Sequence, residues 1–593
     1  MQPILWTVLL GLAAVHSATI PRSAPNASCR AIPGDASWPS LEKWHVLNRT
    51  VHGRLIATIP LPSVCHSEPF GNYDAEACSA MKTAWLGDTT FLNHPAEVMN
   101  PYVQNYTCVP FTPASQPCNL GNYASYSINV TDADDVISGV AFARENNIRL
   151  VIKNTGHDFM GKSTGTGALS LWTHNLNTTD ILPSYSSANY TGPAARLGAG
   201  VISGQVYSIL GAAGYRILGG TCPTVGLAGG YTSGGGHSLL NGAYGMGADA
   251  VLEWEVITAQ GEHLVATPYN HTDLYWALSG GGPGTFAVVL SMTTKIFADG
   301  PIGSGLLFFN ISAANPEPYW SAISDLWQFL PQFVDAGPNT WDFALTATGF
   351  EAYAITVPDR NGTQVQNLLQ PFLTRLTQRD IPYSFTPTTS PNYHDYFASR
   401  FGPGIAGAGP ATVQLTSRLI PRAGVQEIMQ NQAIIAALRA VVETDPGLSL
   451  GCHALNVKNI PHPDNAVLPA WRDAIATCNI VSYWDWNVSP TQMQARKAQL
   501  VDTLIPGLER ATPGAGTYLN EIDAQWKGDW EAELYGRNYP RLLEVKAKYD
   551  PGHVFYAKTA VGSAAWEVDA EGRLCRVLVG GTLESIPNSE RMP

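Results

Sequence analysis

The chain has 593 residues and a formal net charge of −13, and only 14% of its residues are charged, against about 25% in an average soluble protein. A chain of this length is too long for a single hydrophobic core, so we expect two or three packed units. The acidic balance leaves no basic face, which excludes nucleic acid and anionic membrane surfaces as expected partners.

The N-terminus has the features of a secretory signal. An apolar stretch runs from Ile4 to Ala14, and Val15 and Ser17 fit a signal-peptidase site directly after Ser17. Because the stretch is too short to span a bilayer, it predicts a cleaved signal over residues 1–17 and a secreted protein with no membrane anchor. Sequons along the chain agree with a secreted glycoprotein. They begin at Asn26, Asn48, Asn105, Asn129, Asn177, Asn189, Asn270, Asn310, Asn361 and Asn487.

Nine cysteines are an odd number, and in an oxidising compartment the thiol left over from pairing needs an explanation. Five of them lie before residue 119, which predicts a Cys-rich, disulfide-stapled N-terminal segment over residues 18–118. Cys452 and Cys478 are candidate partners by their proximity. Cys222 is the natural odd cysteine, since it alone lies in a glycine-rich loop; the alternative is a buried structural thiol.

Residues 119–302 alternate between helical and strand patterns, which is typical of a domain built from helices and sheets. The patterns predict helices over 133–146, 203–213 and 272–279, strands over 149–153, 168–172, 215–218 and 286–294, and a hairpin of 250–258 with 263–267.

Residues 303–510 indicate a second α+β domain, with strands at 306–309 and 343–346 and helices near 363–378 and 425–443. Pro- and Gly-rich stretches at 298–304 and 511–516 are the candidate boundaries. The last segment, 511–593, is rich in Trp and Tyr up to Phe555, and we expect it to return to the first domain.

Two glycine-bracketed loops each carry one nucleophilic side chain, His157 within 154–161 and Cys222 within 219–226. Glycines let the backbone lie flat against a large ligand while one reactive side chain reaches it, so the pair predicts a tethered cofactor. A Rossmann fingerprint and a Walker loop are both absent from the sequence. Backbone amides of the glycine-rich loops can still cradle a pyrophosphate.

Ordered motifs carry a resemblance to a known family. They are Asn154-Thr155-Gly156-His157 with Gly161 and Ser163, Trp172 to Leu176, Cys222 to Gly226 followed by two glycine clusters, Leu274 to Gly284, Tyr535 to Leu542, Lys548 to Pro551, and Pro33 to Pro39. Over the whole mature chain they resemble the fungal, oxygen-dependent FAD-linked oxidoreductases. These belong to the vanillyl-alcohol oxidase and berberine bridge enzyme-like superfamily, and the N-terminal motif resembles a secreted branch that includes isoamyl alcohol oxidases.

The resemblance implies an α+β fold with a two-part PCMH-type FAD-binding domain over 119–302. It also implies a substrate-binding domain with an antiparallel sheet over 303–510 and a C-terminal segment that completes the flavin site. FAD would be bonded through its 8α-methyl group to His157 and through ring carbon C6 to Cys222, although a single bond at His157 stays open. No metal site is expected. The implied cofactor-binding residues are Gly156, Asp158, Gly161, Ser163, Thr224, Gly226, Gly230, Gly235 and Asn538.

The catalytic base is expected in the stretch Tyr518-Leu519-Asn520-Glu521, where related oxidases have tyrosine at the fourth position. We hypothesise that Glu521 is the base or polarises Tyr518, with Asp523 and Asn538 positioning substrate or flavin. The alternative is that Glu521 is an ordinary paired carboxylate. We interpret His237 as structural.

The resemblance implies an oxidase that takes hydride from an alcohol or a secondary-metabolite intermediate and passes electrons to O2, by simple alcohol oxidation or by oxidative ring closure. A carbohydrate oxidase, a flavin dehydrogenase and a non-catalytic glycoprotein are the alternatives. The carbohydrate alternative needs open stacking platforms, for which the candidates are Trp484, Trp486, Trp526 and Trp530. The sequence predicts neither the substrate nor the oligomeric state.

Overall fold

A computed structural model describes residues 29–577, apart from 101, 104–105, 313 and 403–412. The predicted signal peptide lies outside the described residues. Within them, no helix is both long enough and apolar enough to cross a membrane.

The N-terminal segment is a small helical unit stapled by two short-range disulfides, Cys65–Cys78 and Cys108–Cys118. A third disulfide joins Cys29 to Cys575, near the other end of the described chain. The predicted stapling is therefore confirmed, with one of the five cysteines paired outside the segment. The segment contains helices Leu41–Thr50, Ala75–Ala84 and Thr89–Leu92, the 3₁₀ turn Leu61–Cys65 and strand Leu55–Ala57.

The first half of the predicted FAD-binding domain is a four-stranded sheet, to which the N-terminal segment contributes the first strand; the order is Leu55–Ala57, Tyr126–Asn129, Leu169–Trp172 and Leu150–Lys153. The last three strands are parallel, and Leu169–Trp172, which lies between the other two, is buried at every position, as expected of a strand covered on both faces. Helix Ala133–Glu145 crosses between two of them, and its N-cap Asp132 accepts a hydrogen bond from the Asp135 amide.

The second half is a five-stranded antiparallel sheet, which includes the predicted hairpin of Val251–Ile257 with His263–Ala266. The strand predicted over 215–218 is shorter than expected, because its partner Phe297–Ala298 pairs only with Tyr215–Arg216. The strands of this sheet lie in the order Thr179–Ser187, Tyr190–Gly198, Val288–Lys295, Val251–Ile257 and His263–Ala266. The helices are Ser203–Ala212, Asn241–Tyr244 and Thr272–Leu278, and shorter helical turns lie at Leu227–Tyr231 and Gly247–Ala250.

The second domain is a seven-stranded antiparallel sheet with helices packed on it around one large apolar core. Cys452 and Cys478 face each other on neighbouring strands and form the predicted disulfide. The helix predicted over 425–443 is broken at Glu427, whose extended backbone lets its carboxylate accept from the amides that start the next helix. The strands of this sheet lie in the order Tyr383–Ser390, Ile302–Asn310, Gly349–Pro358, Thr340–Leu345, Leu448–Ala454, Ala474–Tyr483 and Val413–Pro421. The helices of the domain are Glu317–Asp335, Gly362–Gln378, Tyr393–Phe401, Arg422–Gln426, Ile428–Thr444, Pro490–Gln499 and Ile505–Ala511. Shorter helical turns lie at Pro469–Asp473 and Leu500–Leu504.

The C-terminal segment returns to the flavin-binding domain. Lys546 is buried there and donates hydrogen bonds to the carbonyls of Thr285 and Phe555 and to the carboxylate of Asp550. The α+β fold, with a two-part first domain and an antiparallel second sheet, is confirmed. The segment contains helices Trp530–Leu534 and Tyr539–Tyr549, the 3₁₀ turns Gly536–Asn538 and Ser563–Ala565, and strands Trp566–Val568 and Leu574–Arg576.

Candidate active site

The two predicted glycine loops lie against each other. The loop of His157 leaves the end of strand Leu150–Lys153, and its Asn154 donates a hydrogen bond of 2.7 Å to the Ala199 carbonyl. A Cβ added at Gly226, in the Cys222 loop, would lie 2.1 Å from Asn154 Nδ2. Glycine at position 226 is therefore required for the two loops to approach.

The attachment cluster, as we call Asp88, His157, Cys222 and Thr224, forms where these loops meet. Thr224 Oγ1 lies 2.7 Å from His157 Nε2 and 3.2 Å from Asp88 Oδ2. Cys222 Sγ lies 3.9 Å from His157 Nε2 and 3.6 Å from Asp88 Oδ2. The structure thus brings together three residues predicted from the sequence and adds Asp88, which lies in no recognisable motif.

Burial keeps the nucleophiles of the cluster neutral. It lowers the pKa of His157 to about 3, with a smaller effect from nearby Lys153, and raises the pKa of the Cys222 thiol to about 11. It also raises the pKa of Asp88, against the hydrogen bonds from Thr224 and Cys222. A neutral imidazole keeps a lone pair for bonding to carbon, whereas an imidazolium has none. Cys222 is the one free cysteine among the described residues, as predicted.

A buried lysine fastens the N-terminal segment beneath the His157 loop. Lys153 donates hydrogen bonds to the carbonyls of His94, at 2.7 Å, and Phe91, at 3.3 Å. Burial lowers its pKa to about 7. The adjoining Gly156 has a φ of +92°, and a Cβ there would lie 3.0 Å from the Glu97 carbonyl oxygen.

The rest of the His157 loop is braced by Asp158. Its carboxylate accepts hydrogen bonds from the amide and hydroxyl of Ser163, at 2.7 and 2.6 Å, and from the amide of Met160. Gly161 turns the chain with a φ of +75° against Val103. Asp158, Gly161 and Ser163 therefore shape the loop that is predicted to bind flavin.

Buried polar atoms without protein partners surround these loops, and such atoms call for a ligand or water. They are Asp88 Oδ1, Arg149 Nε, Asn154 Oδ1, Lys162 Nζ and Trp172 Nε1. Cationic and hydrogen-bonding groups of this kind, beside glycine-rich backbone, fit the pyrophosphate and polar edges of FAD. Asp88, His157 and Cys222 are also close enough to share a metal ion, with donor atoms within 4.8 Å of one another.

The carboxylate cluster, as we call His237, Asn479, Glu521 and Tyr518, is the second centre. Glu521 Oε1 lies 2.9 Å from His237 Nε2, and Glu521 Oε2 accepts a hydrogen bond of 2.9 Å from Asn479. Burial opposes ionisation of Glu521, but the charge and hydrogen bond of His237, together with Asn479, hold its pKa below the usual range. The pKa of His237 is raised because Glu521 outweighs its burial. His237, interpreted from the sequence as structural, is thus the charged partner of the candidate base.

Tyr518 is held as a neutral phenol. It is 1% exposed, and both burial and the charge of Glu521 raise its pKa. Its oxygen accepts a hydrogen bond of 2.8 Å from Asn520, which also donates to the Gly230 carbonyl at 3.1 Å. Gly235 lies against the Tyr518 ring. The geometry therefore favours Glu521 over Tyr518 as the proton acceptor.

A second histidine lies behind the carboxylate cluster. The His453 ring is 5.3 Å from that of His237, and its Nδ1 binds the Asp342 carboxylate. Its Nε2 lies 3.2 Å from Asn241 Oδ1. His453, Asp342 and Asn479 come from three strands of the second domain, and no local sequence motif marks them.

Two predicted site residues have other partners. Asp523 forms a buried ion pair of 3.2 Å with Lys497, whose ammonium lies 3.8 Å from the centre of the Tyr102 ring. Asn538 donates to the carbonyls of Ala466 and Val467, both at 3.2 Å. Both contacts join the C-terminal segment to the second domain, so direct roles for these two side chains stay predictions.

The candidate stacking tryptophans have partners within the protein. Trp484 is 4% exposed and meets the Tyr102 ring edge-on, while Trp486 stacks on Phe111. Both contacts join the second domain to the N-terminal segment. Trp526 donates a hydrogen bond to Glu509 of the second domain, and Trp530 packs on Tyr535 and Tyr539 within the C-terminal segment.

The two clusters share one stretch of backbone, because the loop of Cys222 continues through Gly230 to His237. A parallel sheet that ends in a glycine loop, an antiparallel second sheet and a carboxylate from the C-terminal segment form the arrangement that the sequence resemblance implies for an FAD-binding oxidoreductase. Comparison with known proteins agrees. The family model described as “FAD binding domain” matches residues 124–267, and the model described as “Berberine and berberine like” matches residues 517–562.

Individual relatives span nearly the whole chain. Bifunctional decalin synthase calF of Penicillium decumbens is 72% identical over 570 residues, which cover 96% of this chain and 99% of that protein. VAO-type flavoprotein oxidase VAO615 of Thermothelomyces thermophilus is 49% identical over 550 residues, covering 93% and 95%. The chain belongs to the FAD-linked oxidoreductases of the vanillyl-alcohol oxidase and berberine bridge enzyme type, as the motifs indicated.

Solved structures give the same result. VAO-type flavoprotein MtVAO615 from Myceliophthora thermophila C1, crystallised at pH 5.0, has a TM-score of 0.89 at 49% identity and covers 93% of this chain and 100% of that one. The glucooligosaccharide oxidase of Acremonium strictum, described with a 6-S-cysteinyl, 8α-N1-histidyl FAD, has a TM-score of 0.61 at 17% identity and covers 75% and 93%. The second likeness establishes the fold alone.

Proposed function

We propose that the chain oxidises a hydroxyl group of a secondary-metabolite intermediate at FAD bonded to His157 and Cys222, and passes the electrons to O2. The observation that carries this proposal is the position of Glu521, whose carboxylate is held between His237 of the flavin-binding domain and Asn479 of the second sheet. A partly buried carboxylate at the junction of the two domains, with a pKa below its usual range, is suited to accept a proton from an alcohol.

The residues divide the work. FAD, when bound, supplies the hydride acceptor. Glu521 takes the proton of the substrate hydroxyl, and His237 and Asn479 keep its two oxygens oriented and charged. Tyr518 stays protonated and presents its hydroxyl group as a donor. Because the pKa of Glu521 lies below its usual range, its carboxylate is deprotonated, and able to accept a proton, at neutral and mildly acidic pH.

Double attachment is supported by the neighbouring positions of the His157 ring and Cys222 Sγ, which lies 3.9 Å from the Nε2 edge of that ring. The glucooligosaccharide oxidase that shares the fold is described with both bonds. Covalent bonds keep the cofactor on a protein that works outside the cell, where free FAD is dilute. The four disulfides within residues 29–577 suit such an oxidising compartment. We therefore propose that the protein is secreted and glycosylated.

The substrate class follows from the relative that shares 72% of its residues and is named a bifunctional decalin synthase. We propose a linear polyene alcohol whose hydroxyl group adjoins a carbon–carbon double bond. Its oxidation gives a conjugated carbonyl, which withdraws electrons from that double bond and promotes addition to a diene farther along the chain. A pocket that folds the substrate would bring the two ends together and accelerate ring closure.

The test supplies the purified protein with polyene alcohols, simple aliphatic and aromatic alcohols, and oligosaccharides, and follows peroxide and product. The proposal expects peroxide with the polyene alcohol and a product that has lost two hydrogens and contains a fused bicycle. Flavin reduction without peroxide under air would identify a dehydrogenase. Peroxide with oligosaccharides alone would overturn the substrate class.

A second arm separates the two reactions. The carbonyl compound, prepared chemically, is incubated with the protein and with buffer alone. Ring closure that is faster with protein supports a bifunctional enzyme, and equal rates would limit the protein to the oxidation.

A further inference from the structure

Asp88 belongs to the N-terminal segment, yet its carboxylate lies among the flavin-attachment residues. It sits at the N-cap of helix Thr89–Leu92, where an aspartate commonly accepts hydrogen bonds from the helix amides, but here it makes no side-chain cap bond. Its Oδ2 is instead aimed at Thr224 and Cys222, and its Oδ1 is buried without a partner. The side chain is thus positioned for something other than helix capping.

The surrounding structure holds this carboxylate in place. Trp85 and Phe91, on either side of it in the chain, are both fully buried, with ring centres 4.9 Å apart. The preceding helix Ala75–Ala84 is fixed by the Cys65–Cys78 disulfide, and Lys153 binds the Phe91 carbonyl. Because the chain on both sides of Asp88 is held by these contacts, its carboxylate has little freedom to turn away from the cluster.

The hydrogen bonds define a direction for proton movement. A carboxylate only accepts, so the Thr224 hydroxyl donates to Asp88 and its oxygen accepts from His157 Nε2–H. That arrangement leaves the lone pair of His157 on Nδ1. Cys222 donates its thiol proton to the same Asp88 oxygen, at 3.6 Å. Both nucleophiles therefore have a hydrogen-bonded route to one carboxylate.

We propose that Asp88 is the proton acceptor for covalent attachment of the flavin, directly for Cys222 and through the Thr224 hydroxyl for His157. This inference rests on the proposed attachment and adds a chemical role for the N-terminal segment. Burial, which raises the pKa of Asp88, makes its carboxylate a stronger base than an exposed one.

Atoms and electrons balance at each bond. At His157, a bond forms between Nδ1 and the 8α carbon while one C–H bond of that methyl group and the Nε2–H bond break; the Nε2 proton passes to Thr224 as the Thr224 proton passes to Asp88. At Cys222, an Sγ–C6 bond forms while the S–H and C6–H bonds break. Formation of each bond adds two electrons and two protons to the flavin ring, and O2 accepts them to form hydrogen peroxide.

The test compares full-length Asp88→Asn with wild type and with Glu76→Gln, an exposed acid on the same segment. Intact mass and flavin fluorescence of the denatured protein report covalent flavin, and absorbance of the native protein reports total flavin. We expect Asp88→Asn to remain yellow while covalent attachment in air is slowed at least about a hundredfold, as for loss of a general base. Glu76→Gln should match wild type.

Two further measurements separate base chemistry from structure. Formate added to Asp88→Ala, purified with non-covalent FAD, should restore attachment, because a small carboxylate can fill the vacated position. Peptide mapping of Thr224→Val should show slow bonding at His157 and normal bonding at Cys222, with both normal in Thr224→Ser. If the Asp88 variants do not fold, these Thr224 variants still test whether the proton of His157 leaves through the Thr224 hydroxyl.

The outcomes are distinct. Attachment in Asp88→Asn at the wild-type rate, or equal rates in Thr224→Val and Thr224→Ser at His157, overturns the role of Asp88 while leaving the attachment itself intact. Wild-type protein without any flavin adduct overturns the proposed attachment, and the role of Asp88 with it.

Discussion

The attachment cluster and the carboxylate cluster are both partly buried, yet their reactive side chains hold different charge states, neutral in the first and charged in the second. In the first, burial keeps His157 and Cys222 neutral, with pKa values of about 3 and about 11. In the second, Glu521 and His237 hold each other in charged form, with the pKa of the acid lowered and that of the base raised. Burial disfavours the charged form of the side chains in both clusters, and the presence or absence of an oppositely charged partner decides whether a side chain is ionised.

This difference matches the tasks that we assign. His157 needs a free lone pair to bond to carbon, and burial preserves it by lowering the pKa of the imidazole. The Cys222 thiol must first lose its proton, and the Asp88 carboxylate lies 3.6 Å from its sulfur. A side chain that must take a proton at neutral pH needs to arrive deprotonated, which an opposite charge at 2.9 Å secures. The following predictions test this division, from the largest expected effect to the smallest.

The largest effect is expected from removing both attachment atoms. His157→Ala combined with Cys222→Ala should abolish the flavin adduct, so that all flavin is released when the protein is denatured. Each single variant should keep the bond formed by the other residue, because the two nucleophiles react at different carbons. Intact mass decides, and an adduct in the double variant would contradict the assignment.

Glu521→Gln should affect the other cluster alone. We expect covalent flavin to be retained while its anaerobic reduction by substrate slows by about 10²- to 10⁴-fold, the usual contribution of a general base. Stopped-flow absorbance measures the rate. Glu544→Gln, an exposed acid on the last helix, is the matched control. An unchanged rate would make Glu521 an ordinary paired carboxylate.

Asp523→Asn should change stability instead of catalysis. It leaves the ammonium of Lys497, which is 1% exposed, without its partner, and breaking a buried pair costs about 3–5 kcal/mol. We expect a lower free energy of unfolding with flavin reduction near the wild-type rate. Adding Lys497→Met should restore most of the stability. Slow reduction in the properly folded variant would instead place Asp523 at the reaction centre.

Removing the Cys452–Cys478 disulfide should loosen the sheet that carries Asn479. Replacing both cysteines by alanine opens a link across 26 residues, which corresponds to about 3 kcal/mol of stability. Thermal unfolding should shift downward and flavin reduction should slow modestly, while the covalent flavin content stays constant. A loss of adduct would show that the two clusters are coupled.

The smallest effect is expected from pH. Because the pKa of Glu521 is lowered and that of His237 is raised, the pair is fully charged between their ordinary values of 4.5 and 6.5. Its contribution to stability is lost as the pH falls through the folded pKa of Glu521 or rises through that of His237. The melting temperature of wild type minus that of His237→Asn should therefore be greatest near about pH 5.5. A difference independent of pH would contradict the ion pair.

Site residues could be predicted best where they lie together in one short sequence motif. His157, Cys222 and Thr224 lie in short glycine-rich motifs, because backbone that must approach a flat ligand tolerates only small residues, and this leaves a visible pattern. The fold was implied by the family resemblance that these motifs carry, while periodicity predicted individual strands and helices.

The residues that sequence reasoning missed are brought together by tertiary structure. Asp88, Asn479 and His453 come from three separate regions, and each is an unremarkable polar residue in its local sequence. His237 was visible after a glycine run, but only its contact with Glu521 shows a purpose. Asp523 and Asn538 matched a motif, whereas their ion pair and hydrogen bonds depend on residues far away in sequence.

The bond between Cys29 and Cys575 closes 546 residues of backbone into a ring. A protease that cuts an exposed loop inside that ring leaves two pieces that are still tied together until a reductant is added. A single cut therefore does not separate the N-terminal segment from the C-terminal segment.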